Sequence, residues 1–130
     1  MTEHGSAAVT MLGVAGLVLV LTLAVADVGI YLAARLQAAG AADAAALAAA
    51  PVTFAAFGGG GSPMAEAARY AAVNGTRLVS CSCPIDRSFD ARTVSVVVAK
   101  EVSIPVVGAV TVTARSRAEF APAALLVEEP

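Results

Sequence analysis

The chain has no tryptophan, one histidine, two cysteines and only six other aromatic side chains (four Phe, two Tyr) in 130 residues. Each scarcity removes a class of chemistry. A zinc site of the usual kind takes four Cys or His ligands, or three where it is catalytic, and beyond His4 the chain offers only Cys81 and Cys83. His4 precedes a long apolar run, so a Ser–His–Asp or Cys–His arrangement has no histidine on the side where the rest of the chain lies. Charge is scarce as well: 14% of residues are ionisable and the formal net charge is −2, whereas about 25% charged residues is usual in soluble domains. No Lys/Arg cluster occurs, so nucleic-acid binding through phosphate neutralisation is not expected. The glycine run ending in Ser62 and Pro63 lacks the lysine of a phosphate loop. No catalytic residue, cofactor or metal ligand set is expected, and the chain reads as non-enzymatic.

What is present is apolar and unevenly placed. Hydrophobic residues make up 58% of the chain, the mean hydropathy is +0.81, and between His4 and Arg35 the only charged side chain is Asp27. About 20 apolar helical residues cross a bilayer, and residues 7–26 suffice by themselves. A helix this hydrophobic on every face has no home inside so small a domain, so the segment is expected to span a membrane. Ala24, Val25 and Ala26 fit the small-x-small pattern of a signal-peptidase site. Against removal, residues 1–5 carry no Lys or Arg, the apolar run exceeds the 7–15 residues of a signal-peptide core, and the helical pattern continues past Ala26. Retention is favoured. Arg35 alone says little about orientation.

Residues 35–50 are mostly alanine, the best helix former, so the anchor is expected to emerge as one continuous helix over residues 6–50, its alanine-rich part either a simple stalk or a packing rod for a multi-helix assembly. Pro51 is expected to end it. Residues 51–62, with four consecutive glycines, read as a flexible linker and domain boundary. Ser62 suits a helix N-cap with Pro63 at the first helical position, and Asn74-Gly75 suits the stop. Beyond Gly75 the period becomes two. Residues 76–81 form a short strand candidate. Val94, Val96, Val98, Val102 and Ile104 alternate as a half-buried strand whose end, broken by Lys100, is expected to be solvated. Pro105 to Gly108 make the turn into a return strand through Val110, Val112 and Ala114. The expected class is α+β: a long N-terminal transmembrane helix, then a small head over residues 63–120 with one helix on a three-stranded antiparallel sheet. Residues 121–130 are expected to be a loose tail.

A few side chains could carry more than structure. Cys81 and Cys83 form a candidate disulfide pair. On a strand both point to one face, so an intramolecular bridge needs a local kink, and a structural or intermolecular disulfide, free thiols or a redox pair all remain open. Small side chains let helices approach closely in lipid, which makes Gly13, Gly16 and Ala24 candidate helix-packing positions. Asp27, near the far interface, could pair with a cation on a neighbouring helix or simply be solvated. Asp86, Arg87 and Asp90 read as solvated turn residues.

The segment Glu3-His4-Gly5-Ser6-Ala7-Ala8-Val9 ahead of an apolar helix resembles the start of TadE/TadG-like proteins of tight-adherence (Tad/Flp) pilus assembly, which are minor pilins or pseudopilins. The alanine-rich stretch from Gln37 to Ala50 and the hairpin around Ile104-Pro105 resemble the same group. The resemblance implies that residues 1–5 are a leader cut by a prepilin peptidase between Gly5 and Ser6. Such prepilins usually carry Glu five residues after the cut, where this chain has Thr10. The resemblance further implies a single-pass membrane protein with an extracytoplasmic head. Its partners would be other pilin-like subunits, Tad assembly proteins and the membrane, and it could enter a pilus. The alternative is a secreted or membrane-anchored small binding domain whose signal peptide is removed after Ala26.

Overall fold

The computed structural model describes residues 3–54 and 61–126. Residues 1–2 of the expected leader, residues 55–60 of the expected linker and residues 127–130 of the expected tail lie outside the described residues. The element order is α1 (Glu3–Val52), α2 (Pro63–Val73), β1 (Arg77–Ser82), β2 (Arg92–Ile104), β3 (Gly108–Phe120) and a short 3-10 turn over Pro122–Leu126. The class is α+β, as expected, with one long apolar helix, a second short helix and a three-stranded antiparallel sheet.

α1 runs unbroken for 50 residues, about 75 Å at 1.5 Å per residue. It does not stop at residue 50. Pro51 lies within the last turn and the helix closes at Val52, because a proline in a final turn forfeits one backbone bond without forcing the preceding turns apart. Thr53 finishes the end, its hydroxyl donating to the Ala50 carbonyl at 2.6 Å.

The two halves of α1 have opposite surroundings. Every residue from 5 to 26 is exposed. From Asp27 onward a buried stripe appears: Ala34, Ala38, Ala41, Ala42, Ala45, Ala46, Ala49 and Ala50. This spacing of three and four is the inward face of a helix. The alanine segment is therefore not a stalk standing clear of the head. It is the central element of the head's core, packed against Ala67 and Ala71 of α2 and against Val94, Val96 and Val98 of β2. Lower down, Ala34 and Ala38 pack on Val112 of β3. The bulky residues point the other way: Leu36 is 73% exposed and Leu47 67%.

α2 begins as its sequence dictates. The Ser62 hydroxyl accepts the Ala65 N–H at 3.0 Å, and Pro63 occupies the first turn, where its missing N–H has no cost. At the other end Gly75 takes φ +71°. Its N–H donates to the Ala72 carbonyl and that of Thr76 to the Ala71 carbonyl, the paired bonds of a Schellman stop that needs a left-handed residue. Side chains pin this corner in place. The Gln37 amide donates to the Asn74 carbonyl, and Lys100 Nζ donates to the Gly75 carbonyl, each at 3.3 Å.

The sheet order is β1-β2-β3. β2 and β3 pair without slippage from Arg92↔Phe120 to Ile104↔Gly108. β1 pairs with β2 and carries a bulge between Leu78 and Ser80. The β2 strand is not solvated past Lys100. Val102 is half-buried and Ile104 is buried, because α1 continues alongside the lower hairpin. The expected loose tail is also ordered in part, since Pro122–Leu126 forms the 3-10 turn and Pro122 is fully buried.

Candidate functional site

Among the described residues no group of three or more His, Cys, Asp or Glu side chains could hold a metal. The grooves along α1 are lined mostly by Val, Leu, Ala and Ile, with Asp27, Tyr31 and Thr22 among them. The charged groups perturbed in the head belong to surface pairs. Glu66 accepts from Arg69 at 2.8 Å and keeps that guanidinium above its ordinary pKa. The Ser88 hydroxyl and N–H both donate to the Asp86 carboxylate, at 2.6 and 3.0 Å, and hold it below the usual carboxylate range. The first pair lies along α2 and the second braces the loop after the disulfide.

The feature that stands out is the first half of α1. Leu12 is 78% exposed, and the same holds in kind for Val9, Met11, Leu17, Leu19 and Leu21. Among the described residues one helix is long and apolar enough, by length and composition, to cross a membrane, with its most apolar window lying wholly outside the folded core. In water this surface would be strongly unfavourable, at roughly 25 cal/mol per Å² of apolar area. Its two threonine hydroxyls are satisfied within the helix, Thr10 donating to the Ser6 carbonyl and Thr22 to that of Val18, each at 2.8 Å. Thr10 thus turns back on its own backbone and offers no charge. An added Cβ at Gly5, Gly13 or Gly16 would meet nothing within 4 Å. These positions are not close-packed inside the chain.

Asp27 is placed differently. It is only 9% exposed, and it sits where the β2–β3 turn reaches down to α1. Its Oδ2 accepts the Val106 N–H at 3.3 Å, across 79 residues of sequence. Its Oδ1 is buried with no hydrogen-bond partner among the described residues. Ala24 lines the adjoining groove with Val20, Leu23, Val106 and Val107. Asp27 and Ala24 are thus brought together with the hairpin tip, whereas Gly13 and Gly16 lie along the exposed half.

Cys81 and Cys83 are joined as a disulfide, with Cα atoms 5.5 Å apart. β1 ends at Ser82, so Cys83 has already left the strand, and this bend lets two nominally parallel side chains meet. The bridge packs against the alanine–valine core.

Arg92 was not singled out by sequence reasoning, yet it organises the loop after the disulfide. It is 8% exposed. Its guanidinium donates to the carbonyls of Thr53 at 3.3 Å and Asp86 at 2.7 Å, and to those of Ser88 and Asp90. It also lies 5.8 Å from the Phe54 ring centroid, which packs on Phe89. Asp86, Arg87 and Asp90 are exposed, as expected of turn residues. A signal existed: Arg92 is in phase with Val94, Val96 and Val98, and a cation on the inward face of a strand must find partners.

No curated protein and no solved structure gives a significant match to the chain. Residues 5–57 match the Tad family model, described as Flp pilus-assembly TadE/G-like. The matched stretch is α1 from Gly5 to its end and a few residues more, the segment that holds both the exposed apolar surface and the alanine stripe. The chain is thus similar to TadE/G-like Flp pilus-assembly proteins over residues 5–57, in its long N-terminal helix.

Proposed function

We propose that the protein is a non-enzymatic, single-pass minor pilin or pseudopilin-like component of a Tad-type pilus or secretion assembly. One observation carries the reading: the family match coincides with a helix whose first half is apolar and exposed on every side, while its second half is built into the head. The first half would lie in the membrane and among the helices of other pilin-like subunits. Gly13 and Gly16, open in the monomer, would be points of close approach between helices. The head would face the extracytoplasmic side, a compartment in which the Cys81–Cys83 bridge can persist. A prepilin peptidase would cut between Gly5 and Ser6.

Retention of the helix is supported by its continuity. α1 is unbroken through Ala26, and Asp27 is tied to the hairpin rather than left as a free new terminus. Sheared filaments and membranes from cells expressing the tagged protein test the assignment. Co-purification with Tad filaments or assembly proteins, with a mature N-terminus at Ser6, is the expected result. A soluble protein beginning at Asp27 would sink it and favour the secreted binding domain.

A further inference from the structure

The hairpin tip has an unusual exterior for a solvated turn. Val106 is 66% exposed and Val107 68%, and residues 102–114 include no ionisable side chain. The Asp27 carboxylate holds this tip against α1 by accepting the Val106 N–H. The tip is thus fixed at the level where the exposed apolar half of the helix ends.

Depth along α1 places that level relative to a bilayer. Residues 7–26 match the hydrocarbon core, about 30 Å at 1.5 Å per residue. The charge-free helix apart from Asp27 extends over residues 5–34, about 45 Å, the thickness of a bilayer with its headgroup layers. The next cation on the helix is Arg35. Its neighbour Ala34 packs on Val112, and Val112 pairs with Lys100. Arg35 and Lys100 therefore stand at one height with Glu101 next to them, and below these the hairpin presents only apolar and hydroxyl side chains, while the helix carries no ionisable group but Asp27. Tyr31, 36% exposed, lies in this same band, where tyrosine is enriched at membrane interfaces.

We infer that the β2–β3 hairpin tip, Pro105 to Val107, is a second membrane contact, inserted beside α1 at the boundary between headgroups and acyl chains. This rests on the membrane-spanning reading of α1. The occupant of the apolar grooves flanking Asp27, about 310 and 410 Å³ and lined by Val28, Tyr31, Val107 and Leu23 among others, is then lipid. The headgroup layer supplies water and ammonium donors for the otherwise unpartnered Asp27 Oδ1. Two contacts fix the tilt of the head where a single helix would leave it free to swivel.

The absence of tryptophan makes the test clean. The full chain carrying V107W is reconstituted in phosphatidylcholine vesicles with bromine either near the start or near the end of the acyl chains. T93W at the opposite, exposed end of the hairpin and L19W within the span serve as references, and circular dichroism confirms that each variant folds. Blue-shifted V107W emission is expected, quenched roughly two-fold or more and better by the shallow bromines, the depth of an interfacial apolar segment. L19W should be quenched by the deep bromines and T93W by neither. Quenching of L19W with V107W unquenched overturns the inference and leaves the anchor standing. Failure of L19W to be quenched overturns the membrane reading together with the inference. V106W repeats the measurement one residue away, so that misfolding of one variant does not decide the matter.

Discussion

If the alanine face of α1 is the centre of the head's core, enlarging one inward alanine must destabilise the head, while the same change on the outward face must not. Ala46 is 0% exposed and belongs to the cluster with Ala67, Ala71, Val94, Val96 and Val98; Ala39 is exposed. Ala→Leu adds three carbons at nearly constant helix propensity. Were there room, burying them would stabilise by about 2.4 kcal/mol, at roughly 0.8 kcal/mol per carbon. There is no room, because α1 approaches α2 and the sheet through methyl groups alone, and overpacking of this kind costs about 1–3 kcal/mol. We expect A46L near the upper end of that range and A39L within about 0.5 kcal/mol of the parent. Pulse proteolysis by trypsin through a urea series in nonionic detergent reads this at the Arg92 site, which is buried in the folded head and cut on unfolding, the exposed Arg87 site serving as the control cut in either state. With a urea dependence of about 1–3 kcal/mol per molar, A46L should lower the midpoint by roughly 1–3 M. Equal midpoints for A46L and A39L would refute the packing argument and return the alanine segment to a free stalk.

Removing the Arg92 guanidinium strips four carbonyls of a charge-assisted donor, and R92A should cost about 2–4 kcal/mol, read in the same assay at the tryptic sites that remain. G75A must place a Cβ at φ +71° and 3.2 Å from the Gln37 amide, so a loss of about 1–2 kcal/mol is expected; a neutral result would contradict the left-handed stop. Because the folded Asp86 carboxyl is held below its ordinary value by Ser88, its contribution is present above the unfolded pKa of about 4 and is lost as pH falls through the lower folded value. S88A should flatten the urea midpoint's pH dependence in that acid window and leave it unchanged near neutrality. Alkylation without reductant should leave Cys81 and Cys83 unlabelled, with two labels by intact mass after reduction, and the small three-residue ring should add no more than about 1–2 kcal/mol to stability.

The elements with strong local chemistry were legible. Ser62-Pro63 and Asn74-Gly75 bracket α2, and the alternation of Val94, Val96 and Val98 exposes β2, because caps and period-two patterns depend on neighbours in sequence. The inward face of α1 was not legible for a definite reason. Where Ala occupies every side, polarity does not distinguish the faces, and the two prominent leucines, Leu36 and Leu47, turn outward. The core is selected by side-chain size, and only the sheet and α2 reveal where small residues are required. Arg92 escaped notice because its acceptors are backbone carbonyls of Thr53, Asp86, Ser88 and Asp90, which sequence does not display. Asp27 read as a neighbour's partner or a solvated residue; its bond to Val106 spans most of the chain.

The outward leucines bear on how such a head could share its helix with an assembly. Val25, Leu32, Leu36 and Leu47 are 73%, 51%, 73% and 67% exposed. At 100° per residue, positions 25, 36 and 47 return to one side of the helix every three turns. This side is continuous from the exposed apolar half into the head half and lies opposite the alanine stripe. Packing the sheet and α2 on the alanine face therefore leaves a row of large apolar side chains facing outward on the same unbroken helix. A neighbouring helix could follow that row without disturbing the head's core, because the two faces use different residues. An assembly built this way would transmit a displacement of the membrane helix directly to the head, since no joint separates them between Glu3 and Val52.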